Sequence, residues 1–197
     1  MSLEEKAKIL IEKKGRTKAE ALKFCLRYVE RKEGREKKDM VIAKLKELGF
    51  EESYEKLKPF DWVKEATLIM LYLILMEVLD WSEEDIFKMG EEEPKESFIA
   101  RILMNMLSIE KVMKEAPKYW RKFYDFASIE PVEIDKEKRF LIIRIHGYDF
   151  DPIGCVYIKG FLITLSKFTI KAKNYSIKET KCIHEGEKFH EYIITWE

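Results

Sequence analysis

The sequence predicts an α+β protein, in which N-terminal helices are followed by an antiparallel sheet of hairpins packed with helices. Two observations carry the prediction. Before about residue 130 apolar residues recur every three or four positions, and beyond it every second position. Within that second region one helix-start signal, Asp149-Phe150-Asp151-Pro152, separates two pairs of strands.

Taken in order, Ile9, Leu10, Leu22, Leu26 and Val29 mark the first helices. Thr17-Lys18-Ala19-Glu20 reads as a capping box opening the second of them. Asp39 is placed to cap a third helix, carried by Met40, Ala43, Leu45 and Leu48 and stopped by Gly49. Asp61 is the expected cap of a very apolar helix ending near Leu79, and Ser82 caps a short one that Pro94 closes. Phe98 to Met113 reads as one amphipathic helix, followed by Pro117 and the aromatic run from Tyr119 to Tyr124. Val132 to Ile134 and Phe140 to Ile145 form a hairpin across the charged turn Asp135 to Lys138. A helix over Ile153 to Phe168 leads to the last hairpin, Tyr175 to Cys182 against Phe189 to Trp196, turning at His184 to Glu187. The chain divides into a helical N-terminal region, 1–95, suited to dimerisation, and an α+β unit, 96–197.

Charge and composition exclude several classes. The 37 basic and 37 acidic side chains cancel, which argues against nucleic acid, whose binding rests on neutralising phosphates. Gln is absent and only Asn105 and Asn174 are present among abundant Lys and Glu, a composition suited to high temperature. The apolar run from Ala66 to Leu79 carries Glu77 and falls short of the roughly 20 residues of a bilayer span. The start of the chain shows no signal-peptide pattern, so a cytoplasmic, reducing setting is expected. There, metal binding or inert burial is favoured for Cys25, Cys155 and Cys182, and Cys25, between Phe24 and Leu26, reads as core.

Chemistry concentrates near the C-terminus. Cys155 lies in the first turn of its helix, and Cys182 and His190 lie on opposite arms of the last hairpin. With Glu179 they make an acceptable tetrahedral shell for a structural zinc. Residues i and i+3 of a regular strand face opposite ways, so Glu179 and Cys182 share an ion only if the strand bulges. His184 is the substitute ligand if it does not.

The stretch from Trp120 to Trp196 resembles the vinyl-4-reductase domain family, small-molecule-binding domains related to heme-NO-binding and Golgi-tethering folds. The resemblance rests on Cys155 with Gly160, then Glu179, Cys182, Gly186 and His190 at the family's spacing, and the closing aromatics Tyr192 and Trp196. His190 stands where the family more often has a cysteine. The resemblance implies a zinc held by Cys155, Glu179, Cys182 and His190, and a chamber for an aromatic or hydrocarbon ligand in a sensory homodimer. Trp120, Phe123, Tyr124, Phe126, Phe140, Phe161 and Phe168 supply material for such a chamber.

No dinucleotide loop, nucleophile triad or open zinc position is readable, which points away from an enzyme. For heme, His146 and His184 are available, but the Tyr-x-Ser-x-Arg pattern that would hold its propionates is missing. The expected function is therefore a stand-alone zinc-containing sensory domain for a hydrophobic or aromatic small molecule. A protein–protein adaptor without a ligand and a reductase accessory component are the alternatives.

Overall fold

The computed structural model describes residues 1–104 and 108–197, without the side chains of Ile99, Leu103 and Met104. Helix α1 (Leu3–Glu12) opens on a capping box in which Ser2 Oγ accepts from the Glu5 amide and Glu5 accepts from the Ser2 amide. Strand β1 (Arg16–Lys18) follows and pairs antiparallel with β2 (Trp62–Lys64), placing Thr17 opposite Val63. This ribbon displaces two expected caps. Thr17 is a buried strand residue rather than a cap, and α2 (Ala19–Glu33) starts from Lys18 without a side-chain bond. The chain segment before β2 does the capping: Ala19 N donates to Asp61 O at 2.9 Å and Glu20 N to Pro59 O at 2.8 Å.

Helix α3 (Arg35–Glu47) begins directly after Gly34, so Asp39 lies in its interior and pairs with Arg35 at 3.7 Å instead of capping. Helix α4 (Glu65–Val78) starts after β2, and Asp61 holds the preceding turn by accepting from Lys58 N at 2.8 Å. The first eleven residues of α4, Glu65 to Leu75, are all buried, so it is the central helix of the core. Ser82 caps α5 (Glu83–Glu96) through a box with Asp85, as expected, but Pro94 sits inside the helix. A proline so near the C-terminal end costs one ladder bond, which packing covers. The single helix expected from Phe98 to Met113 is two: α6 (Phe98–Met104) and α7 (Ile109–Phe123), the latter capped by Ser108. Residues 105–107 lie outside the described residues. Pro117 and most of the aromatic run fall within α7.

The sheet follows the expected hairpins. Strands β3 (Ser128–Asp135), β4 (Phe140–His146), β5 (Tyr175–Lys181) and β6 (His190–Trp196) pair antiparallel in the order β3-β4-β6-β5. Between β4 and β5 runs α8 (Pro152–Thr169), with Asp151 capping the Ile153 amide at 3.1 Å and Pro152 in its first turn.

One hydrophobic core runs from Leu3 to Trp196. At its centre α5 and α8 cross with backbones nearly touching, through Gly90 and Gly160. A Cβ on Gly90 would lie 2.2 Å from the Tyr157 carbonyl oxygen, and one on Gly160 2.1 Å from that of Phe87. Among the described residues no helix is long and apolar enough to cross a membrane.

Candidate functional site

Two features stand out, a cluster of four donor side chains at the sheet and a chamber among the helices. In the cluster, one ligand atom from each of Cys155, Glu179, Cys182 and His190 lies within 4.8 Å of every other. Cys155 comes from the first turn of α8, Glu179 from β5, Cys182 from just beyond β5 and His190 from the first residue of β6. The register of β5 against β6 shifts between Glu179 and Lys181. That bulge turns Glu179 and Cys182 toward one point, which a regular strand would forbid. Glu179 thus joins the group and His184 does not: His184 sits in the short 3-10 turn Ile183–Glu185, with Nδ1 3.8 Å from Asp149.

His190 is fully buried and doubly engaged. Its Nε2 lies 2.8 Å from the Tyr148 carbonyl, which only accepts, so Nε2 carries the hydrogen. Nδ1 then directs its lone pair at Glu179 Oε1, 2.9 Å away, and toward Cys155 Sγ at 3.5 Å. A lone pair facing a carboxylate is unfavourable as it stands. Either the ring takes a second proton or a cation sits among the four donors.

Burial pushes the Cys155 thiol up, and the charges of Glu179 and Cys182 add to the shift; burial also raises Cys182. For Glu179 burial works upward, but hydrogen bonds from His190 and Cys182 outweigh it and hold the carboxyl below its ordinary range. An empty cluster therefore keeps its thiols protonated, and a cation is needed to draw out the thiolates. His146, the remaining histidine, is exposed on β4 and pairs with Glu130 at 2.7 Å.

The chamber is a small apolar cavity of about 40 Å³ lined by residues of β1, α2, α5, α6, α7, α8 and β3. Of the aromatic residues singled out in the sequence, Trp120, Phe123, Tyr124 and Phe161 line it. Phe168 is half exposed, and Phe126 stacks on Tyr148 instead. Sequence reasoning missed the chamber's one carboxyl, Glu93, because it stands in a run of glutamates that reads as a solvated face. Glu93 is 5% exposed and accepts from Tyr157 Oη at 2.8 Å, and burial pushes its pKa up to about 8.

A second buried carboxyl, Glu65, was also missed. It opens α4, accepts from Tyr148 Oη at 2.6 Å, and its Oε2 has no partner among the described residues. Burial raises it to about 7. The sequence held one sign of it, an acid abutting the longest apolar run.

Neither a family model nor a curated protein matches the chain, so the resemblance to vinyl-4-reductase domains finds no support there. Solved structures do match. An H-NOX protein from S. oneidensis, described in the Fe(II)NO ligation state, aligns with TM-score 0.59 at 12% identity over 91% of this chain and 99% of its own. An Fe(II) unliganded H-NOX protein from K. algicida gives 0.64 at 14% over 92% and 96%. A structure described as probing heme distortion in the H-NOX family gives 0.66 at 13% over 91% and 95%. These neighbours correct one expectation: they are described by Fe(II) and heme, and a structural zinc as this chain's cofactor is withdrawn on that finding. The heme-NO-binding relationship implied from sequence holds at the level of architecture, and the chain has the α+β fold of the H-NOX proteins.

Proposed function

We propose that this protein is a sensory domain that binds a small apolar molecule in the chamber of its helical layer. The observation that carries the reading is the apolar cavity walled by Trp120, Phe123, Tyr124 and Phe161. At about 40 Å³ it is well under the roughly 150 Å³ in which an apolar cavity takes up benzene, so in this closed form it suits a few heavy atoms rather than an aromatic ring. Xenon tests it directly. Saturable binding that shifts the resonances of chamber residues is expected, and no binding at several atmospheres would end the reading.

The four-donor cluster serves this domain as a clamp. Cys155, Glu179, Cys182 and His190 together hold one thiophilic metal ion, tying the start of α8 to the β5–β6 hairpin. The Nε2–H of His190 donating to Tyr148 O is the outer-shell bond that aims Nδ1 inward. Elemental analysis of protein never exposed to chelator, scanning iron and the later transition metals, is expected to find about one ion per chain, and none in Cys182→Ala. Metal-free native protein would sink the clamp and leave the chamber standing.

Heme, named for the neighbouring structures, does not suit these residues. The three histidines are His146, His184 and His190, and none of them lies in an element lining the chamber. The cavity is also far too small for a porphyrin. Hemin added to the protein is expected to keep the spectrum of free hemin. A saturable one-to-one Soret shift would overturn this.

A further inference from the structure

The four-stranded sheet ends on two edges that differ. Strand β3 carries Pro131, which has no amide hydrogen, and its register against β4 shifts between Pro131 and Glu133; both features blunt an edge against further pairing. Strand β5, the other edge, contains no proline. Just before it, Asn174 N donates to Glu197 O at 3.3 Å and Glu197 N to Asn174 O at 3.1 Å. In an antiparallel ladder such pairs recur at every second residue, so Ser176 and Lys178 turn their amides and carbonyls toward β6, opposite Thr195 and Ile193. The amides and carbonyls of Tyr175 and Ile177 point away from the sheet, and nothing among the described residues bonds to them.

An open groove of about 500 Å³ runs beside this edge, between α5, α8 and β5. Phe87, Val156, Ile163 and Ile177 give it an apolar floor. Ser176, from the opposite face of β5, also borders it, so groove and free edge are continuous. Charge along the edge is one-sided. Lys171 and Lys173, just before β5, and Lys178, within it, are exposed and form no ion pair among the described residues. The charges of the groove itself are answered: Lys167 pairs with Glu91 at 2.6 Å, Lys159 is drawn to the Glu179 carboxylate, and Glu83 and Glu84 sit in the first turn of α5, at the positive end of its dipole.

We propose that the free edge of β5 is a docking site for an extended acidic segment of another protein, which adds to the sheet as a fifth strand and lays alternate apolar side chains in the groove. The unpaired backbone groups of Tyr175 and Ile177 call for a strand, since a helix has no amides to spare along its length. Residues directly opposite Tyr175 and Ile177 share their face and meet the apolar floor. The residues between them flank Ser176 and Lys178, where a carboxylate is favoured. A second copy fits less well. Pairing two copies antiparallel about Ile177 or Lys178 sets Lys178 diagonal to, or directly opposite, its own counterpart, and like charges so placed are destabilising.

The experiment titrates the peptide acetyl-Glu-Val-Thr-Val-Glu-Val-Glu-amide into the native protein and follows the backbone amides by NMR. In the free protein the Tyr175 and Ile177 amides are expected to exchange with solvent much faster than those of Ser176 and Lys178. Slow exchange at Ile177 would mean an edge already covered and would overturn the proposal. With peptide, a saturable downfield shift and protection of the Ile177 amide are expected. Methylating the valine amides of the peptide should weaken binding about tenfold. Lysine in place of its glutamates should weaken binding about threefold, and Lys178→Glu should reverse that preference.

No saturable response at Ile177, equal binding of the methylated peptide, or binding indifferent to the peptide's charge would each overturn the proposal. Ile177 shifts that grow with protein concentration in the absence of peptide would assign the edge to a second copy and overturn it as well. Should Lys178→Glu fail to fold, the three peptides compared on the unaltered protein still decide.

Discussion

Gly160→Ala is expected to destabilise the protein by about 3–5 kcal/mol. The new Cβ would meet the Phe87 carbonyl oxygen at 2.1 Å and the Glu91 amide nitrogen at 2.9 Å. Both are backbone atoms of α5, so no rotamer change relieves the clash. The two helices must separate along the crossing. Gly90→Ala meets the Tyr157 carbonyl oxygen from the other side and should cost a similar amount. For a domain of this size the loss corresponds to a fall of about 10 °C in Tm. Chemical denaturation monitored by circular dichroism measures it, and a Gly160→Ala protein within 1 kcal/mol of the native one would contradict the packing described. The chamber should suffer with the crossing, because α5 supplies Glu93 and α8 supplies Phe161, Leu162 and Leu165 to its wall.

The second large effect is on the dependence of stability on pH. Glu65 and Glu93 have folded-state pKa values raised to about 7 and about 8, with burial the leading cause for both. In the unfolded chain both return to the ordinary carboxylate value near 4.5. Between those values the folded state holds protons that the unfolded state has released, so stability falls as pH rises. The contribution is fully present below about pH 4.5, is lost at roughly 1.4 kcal/mol per pH unit for each group above that, and levels off past pH 7 for Glu65 and past pH 8 for Glu93. Metal-free protein is therefore expected to be several kcal/mol more stable at pH 5 than at pH 8.5. Glu93→Gln keeps an acceptor for Tyr157 and removes the ionisation, so it should take about 1.4 kcal/mol per pH unit off the slope between about pH 5.5 and 7 and leave the curve nearly flat between pH 7 and 8. A stability curve that climbs from pH 5 to 8.5 in the absence of metal would show that these carboxyls are not held as described.

What the sequence disclosed follows from how local each signal is. Asp151 and Pro152, or Ser82 and Asp85, sit within one turn of the helix they start, and both caps form as read. The hairpins were legible because alternation and a charged turn are short-range patterns. Thr17-Lys18-Ala19-Glu20 had the composition of a cap but was drawn into the ribbon with Trp62–Lys64, a partner more than forty residues away. Pro94 was read as the end of a helix and Pro117 as lying beyond one, yet both fall inside helices that are set by their buried faces and tolerate the missing amide.

The four donors of the cluster were legible as residue types and spacing, and the required bulge lies where Glu179 and Cys182 need it. What would occupy the cluster was not legible, since donor chemistry alone does not select an ion. Glu65 and Glu93 were hidden because burial depends on which helix lies opposite, and a glutamate written beside other glutamates looks solvated.

The order β3-β4-β6-β5 has a consequence for synthesis. The strand made last of the four, His190–Trp196, is an interior one, flanked on either side by strands made before it. Until it emerges from the ribosome, β4 and β5 have no neighbour in common and the sheet exists only as a hairpin and a loose strand. The same seven residues bring His190, which completes the donor set, and Tyr192 and Ile194, which are fully buried. Sheet closure, core closure and completion of the cluster are therefore one late event rather than three successive ones. The nascent chain carries an unpaired β4 edge until that event, a window in which a chaperone or a second nascent copy competes for the place β6 will take.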